Sequence, residues 1–178
     1  MLDFNTGELL LINKPLYWTS FDLVKRVRGA IKKKLNIRNI KVGHAGTLDP
    51  LATGLMIICT GACTKRIEQY QNLSKEYEAD LILGASTPSH DLETQINQQF
   101  DISHITERKV KDILETFVGN IEQRPPAFSA KFINGKRAYE LARKGRVVEL
   151  KSKSVSIYSL DMIDYSKPKL KIRIKCSK

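Results

Sequence analysis

Cysteine and histidine are scarce in this chain, with three of each in 178 residues, and the scarcity excludes several kinds of chemistry. Cys59, Cys63 and Cys176 cannot all pair within one molecule. Cys59 and Cys63 lack the two-residue spacing of a zinc or thioredoxin motif, and no histidine stands beside them at metal-ligand spacing. Neither a metal site nor a disulfide is expected. Long hydrophobic runs are also missing. The longest, Leu9 to Ile12 and Leu55 to Cys59, fall far short of the roughly 20 residues that cross a bilayer. The N-terminus shows no signal peptide, and there is no internal repeat or low-complexity tract. These absences predict a cytoplasmic protein of one ordinary domain, with no membrane partner.

Acidic charge is short as well. Thirty Lys and Arg stand against 19 Asp and Glu, a net charge of +11. The imbalance concerns partners rather than fold, and it is polarised along the chain. Lys14 to Lys41 holds nine basic residues and one acid, and Lys131 to Lys153 holds eight basic residues and two acids. Glu76 to Asp101, by contrast, holds six acids and no Lys or Arg. Such a distribution suits docking a polyanion on one side, with nucleic acid ahead of an anionic membrane.

Hydrophobic residues make up 42% of the chain, enough for a buried core. Glu8 to Asn13 reads as a buried strand ended by Lys14-Pro15. Thr19 or Ser20 caps a helix whose apolar positions Leu23, Val24, Val27, Ile31 and Leu35 recur at helical spacing. Lys25, Arg28 and Lys32 share the opposite face, which is either a solvated surface or a binding one. Gly43 to Gly54 reads as a loop, Leu55 to Thr60 as a buried strand and Thr64 to Asn72 as a short helix. Lys75 to Leu83 alternates as a half-buried strand with Tyr77, Ala79, Leu81 and Leu83 on one face. After a polar loop from Pro88 to Asp101, Thr106 caps a helix closed near Gly119. Gln123 to Gly135 is irregular, Arg137 to Lys144 a short helix, and Val147–Asp164 and Leu170–Cys176 are strands about a turn at Ser166-Lys167-Pro168. The fold class is α+β: a mixed, largely antiparallel sheet with flanking helices.

The segment richest in chemistry is Gly43-His44-Ala45-Gly46-Thr47-Leu48-Asp49-Pro50-Leu51-Ala52-Thr53-Gly54. It presents one carboxylate between Gly-rich bends, and Pro50 biases Asp49 away from helical geometry. A carboxylate so held can serve as a nucleophile or as an acid/base, though Asp before Pro is also a plain turn residue. The Gly-x-x-x-x-Gly-Lys-Ser/Thr order of a phosphate-cradling loop is absent.

This segment resembles the Gly-His-x-Gly-x-Leu-Asp-Pro-x-Ala-x-Gly loop of the TruB family of pseudouridine synthases, with every fixed position present. Further resemblances follow in order. They are Leu10 to Pro15 with Thr19-Ser20, Gly61 to Lys65, Lys75-Glu76-Tyr77, and Gln123 to Lys131 together with Arg137 to Gly145. The last pair is similar to the family's RNA-gripping insertion, placed at about 121–150. The resemblance implies a cofactor-free isomerisation of uridine 55 in the T-loop of tRNA to pseudouridine. It implies Asp49 as nucleophile, Tyr77 against the flipped base and His44 in contact with the target nucleotide. A uridine inside a folded loop must be extruded before chemistry, at a cost of a few kcal/mol. Lys14 and Lys65 are implied either to touch RNA or to orient the Asp49 loop. Lys131 and Arg143 are candidate phosphate contacts, and a monomer is expected. After Cys176-Ser177-Lys178 the family continues with Gly-Thr-Tyr-Ile-Arg, whose Arg is expected to pair with the nucleophile. Residues 1–178 therefore read as the N-terminal portion of a catalytic domain without the family's PUA domain, binding RNA but lacking turnover on their own. Two other readings stand beside the enzyme: a module that grips tRNA without catalysis, and a basic α+β protein that binds RNA non-specifically.

Overall fold

A computed structural model describes residues 3–4, 6–124 and 152–177, and the backbone of 132–133 and 136–137. The chain divides into two compact units, Met1–Leu73 and Ser74–Lys178.

In the first unit, β1 (Leu9–Lys14), β2 (Val42–His44) and β3 (Gly54–Thr60) form an antiparallel sheet in the order β1-β3-β2. The register sets Leu10 opposite Ile58 and Ile12 opposite Met56, so alternate residues of two strands share one face. The helix α1 (Ser20–Leu35) supplies Leu23 and Val24 to that face. With Val42, Met56 and Ile58 these form the core, against which Val27, Ile40 and Leu48 pack. Burying an aliphatic side chain of this size contributes about 1.5–3 kcal/mol. Thr19 caps α1 in a reciprocal box: the Asp22 N–H donates to Thr19 Oγ1 at 3.1 Å, and the Thr19 N–H donates to the Asp22 carboxylate at 3.1 Å. Asn36 ends the helix in the left-handed region at φ 51°.

Two expectations change here. β1 is half-buried rather than buried: Leu11 is 62% exposed and Leu55, on the neighbouring strand, 64%. Within this unit α1 covers one face of the sheet, so Leu11 and Leu55 on the other face keep their exposure, while Cys59 at the far end of that face is buried. The loop from Gly43 is shorter at its start, because Val42, Gly43 and His44 pair with Thr60, Cys59 and Ile58. Three residues are too few to show a period of two in the sequence. After β3, a 3₁₀ turn (Gly61–Arg66) runs into α2 (Ile67–Gln71), so the helical stretch begins three residues before Thr64.

The second unit holds β4 (Lys75–Ile82), β7 (Gly119–Gln123), β10 (Lys153–Ser166) and β11 (Lys169–Cys176) in one antiparallel sheet, ordered β4-β11-β10-β7. Lys167-Pro168 makes the expected hairpin turn, with Ser166 opposite Lys169. Two ribbons accompany the sheet: β5 (Ala85–Ser86) with β6 (Gln98–Gln99), and β8 (Phe132–Ile133) with β9 (Lys136–Arg137). The helix α3 (Glu107–Thr116) is capped by Thr106, as its sequence predicts. It packs on β10, and the Tyr165 hydroxyl donates to Ile105 O at 3.0 Å. Because α3 lies there and not over β4, the apolar face of β4 stays more open than its alternation suggests. Tyr77 is 41% exposed and Leu81 37%. Every described pairing is antiparallel and helices flank the sheets, which is the α+β class expected. Apart from Arg137, which pairs in β9, the helix expected at 137–144 lies outside the described residues, as does most of the proposed insertion.

Candidate active site

Lys14 organises the loop that carries Asp49. It ends β1 opposite Gly54, the first residue of β3, where the loop rejoins the sheet. Its side chain has no exposed surface. The ammonium donates to Trp18 O at 2.7 Å, Pro15 O at 3.0 Å and Pro50 O at 3.5 Å. Burial pushes its pKa below the ordinary 10.5, and the negative charge of Asp49 pushes back. Of the two roles open to Lys14, the geometry fits orientation of the Asp49 loop. A nitrogen with no exposed surface does not fit a phosphate contact.

Ser20 is the second tie. Its Oγ accepts the Leu48 N–H at 2.9 Å and donates to Leu48 O at 2.9 Å, pinning the residue before Asp49 to the first turn of α1. Sequence reading missed this role: Thr19-Ser20 offered a cap, and nothing in the spacing showed a contact 28 residues away. Tyr17 N–H donates to Pro50 O at 2.8 Å, and Ala52 N–H to Asp49 O at 3.0 Å, closing a turn around Asp49-Pro50. Both backbone neighbours of Asp49 are thus held while its side chain stays exposed. That is the arrangement a nucleophilic carboxylate needs: a fixed position open to a reactant.

The Gly-rich bends have a conformational basis. Gly46 and Gly54 lie at φ 137° and 132°, where L-residues are strained. Gly54→Ala is expected to cost about 1–3 kcal/mol. It should lower the melting temperature by several degrees, as differential scanning calorimetry would record, and an unchanged melting point would contradict the strain.

His44 ends β2, and its Nδ1 bonds to Gly46 O. A carbonyl only accepts, so Nδ1 carries the proton and Nε2 is left as the acceptor of the neutral ring. The ring is partly buried, and its own loop fixes its orientation. Lys65 lies elsewhere, exposed on the 3₁₀ turn past the far end of β3. Tyr77 belongs to the second unit, on β4 opposite Ile174. Burial, and secondly the Cys176 thiol, raise its pKa above 10.0, so the phenol keeps its proton at neutral pH. Lys131 and Arg143 lie outside the described residues.

The three cysteines are free thiols. Burial, and then a hydrogen bond with Cys63, push Cys59 up to about 11, which keeps it an unreactive thiol. Among the described residues no group of three or more His, Cys, Asp or Glu could hold a metal, and no helix is long and apolar enough to cross a membrane.

The fold matches that of chains in two solved complexes. In a Cbf5–Nop10–Gar1 complex the TM-score is 0.65 at 24% identity, covering 98% of this chain and 40% of the other. In an H/ACA RNP bound to a substrate RNA containing 2′-deoxyuridine it is 0.61 at 20% identity, covering 98% and 38%. The shared architecture places this chain in the fold seen in those complexes. The family is narrower. Residues 32–178 match the N-terminal domain of the TruB family pseudouridylate synthases, and the chain belongs to that family. It is 56% identical over 177 residues to tRNA pseudouridine synthase B of Parabacteroides distasonis, covering 99% of this chain and 75% of that protein. To the enzyme of the same name from Flavobacterium johnsoniae it is 43% identical over 177 residues, covering 99% and 77%.

Proposed function

We propose that this isomerase acts on tRNA, converting uridine 55 of the T-loop to pseudouridine with Asp49 as nucleophile. The observation that carries the reading is the Asp49 loop, which keeps every fixed position of the family motif and is tied by Lys14 and Ser20 so that one carboxylate stands exposed. The N1–C1′ bond breaks, the uracil turns, and C5 bonds to C1′. C5 gives up a proton and N1 gains one, so the product has the composition of the substrate and no electron acceptor is required. His44 and Tyr77 are assigned to the extruded nucleotide, the former through its partly buried ring and the latter through its protonated phenol. The net charge of +11 supports a polyanionic substrate.

Release of tritium from 5-tritiated uridine in a T-arm RNA, measured with the full-length protein, tests the chemistry. The account expects release that tracks pseudouridine formation one for one. Affinity for the same RNA should fall steeply between low and physiological salt, as counterion release requires. A flat salt response would sink the electrostatic part of the reading.

A further inference from the structure

The cations of the first unit are not evenly spread. Between Leu23 and Leu48 there are eight Lys and Arg and no acid. Four cations from three separate segments line two adjoining concavities that share Asn39, Ile40 and Lys41. Arg28 and Lys32 come from the second half of α1, Lys41 from the segment before β2, and Lys65 from the 3₁₀ turn. Arg28 is fixed in place, its Nη2 donating to Val42 O at 3.0 Å. None of the four forms an ion pair with a described carboxylate, whereas cations elsewhere do: Lys111 with Glu107 at 2.7 Å, Arg173 with Glu78 at 2.7 Å and Lys171 with Glu78 at 3.2 Å. Lys25, on the same helix, also has a local partner in Asp22 at 3.8 Å and lies 4.8 Å from the centre of the Phe21 ring. Cations gathered in a groove without counter-charge repel one another, and a bound polyanion would relieve that repulsion.

The groove is remote from Asp49 within its own unit. The Asp49 loop is tied to Ser20, at the start of α1, and Lys32 lies 12 residues further on, about 18 Å at 1.5 Å per residue. Along the sheet, the loop joins the Gly54 end of β3, and the 3₁₀ turn follows its Thr60 end, roughly 20 Å away. A nucleotide at Asp49 and a phosphate in the groove would be several nucleotides apart.

We propose that the groove of Arg28, Lys32, Lys41 and Lys65 holds the sugar-phosphate backbone of the substrate RNA outside the T-arm stem-loop that contains the target uridine. This rests on the reading of the chain as a tRNA-modifying enzyme. The groove is concave and offers only Ile40 and Ala62 as apolar side chains, which suits a narrow polyanion better than a membrane surface.

The test is binding, so it does not depend on turnover. Dissociation constants are measured for a whole tRNA transcript, an isolated T-arm stem-loop and vesicles of anionic phospholipid. The proteins compared are the parent, Lys32→Glu/Lys41→Glu, and Lys33→Glu/Lys34→Glu, which changes the net charge equally on exposed positions outside the groove. Melting curves confirm folding, and Lys32→Gln/Lys41→Gln replaces the charge reversal if that variant is unstable. For the groove variant we expect at least a tenfold loss of affinity for whole tRNA, a salt dependence shallower by about two ions, and stem-loop binding within twofold of the parent. The charge-matched control should lose less than threefold on whole tRNA. Equal losses on tRNA and stem-loop, equal losses in the two reversal variants, unchanged tRNA affinity, or a loss confined to vesicles would each overturn the proposal. Absent pseudouridine formation in the full-length protein, with these binding differences intact, would count against the catalytic reading and leave the groove assignment standing.

Discussion

In the full-length protein, Asp49→Asn should reduce tritium release from a T-arm RNA to below about a thousandth of the parent rate, a loss of more than about 4 kcal/mol of barrier lowering. Asparagine keeps the size of the side chain and suits turns as well as aspartate does, so the Asp49-Pro50 turn and its Ala52 bond should survive. What is lost is the charge and the nucleophilic oxygen. The Asp49 side chain is exposed, so the melting temperature should move little, and RNA affinity should persist. Binding, melting and tritium release are measured on one preparation. Release above a tenth of the parent rate with intact folding would remove Asp49 from the mechanism.

Lys14→Met is the second large effect. Methionine keeps much of the stem and removes the buried ammonium, leaving the carbonyls of Pro15, Trp18 and Pro50 without that donor. Removing one member of a buried charged hydrogen-bond cluster costs about 2–4 kcal/mol, or about 5–15 °C in melting temperature for a chain of this size. The turn at Pro50 also loses a tie, and an ångström of misplacement at the nucleophile is worth about a hundredfold in rate. A phosphate contact would behave differently: affinity and salt slope would drop while the melting temperature held. Calorimetry together with a salt titration separates the two outcomes, and an unchanged melting temperature would overturn the orienting role.

The first unit was readable where the pattern is local. The Thr19 cap, the helical spacing from Leu23 to Leu35 and the Pro50 turn each depend on residues within a few positions, and each is where the sequence places it. Ties across the chain were not readable. Ser20 meets Leu48 across 28 residues and Lys14 meets Pro50 across 36, and a spacing pattern carries no information on either. The same limit separated Arg28 and Lys32 from Lys41 and Lys65, which only the fold brings to one groove. In the second unit, the alternation of β4 gave its strand and its faces but not its cover, because α3 is placed on β10 by tertiary packing. The resemblance at Gly43–Gly54 implies Asp49 as nucleophile. The geometry adds the way in which a buried ammonium and a serine hydroxyl hold that loop.

The most direct test of the account is nucleoside-resolution mapping of an unmodified tRNA transcript after incubation with the full-length protein. The account predicts pseudouridine at position 55, approaching one per tRNA, and none in a transcript whose uridine 55 is replaced by cytidine. A folded, RNA-binding protein that leaves uridine 55 unchanged, or that modifies a different uridine, would contradict it.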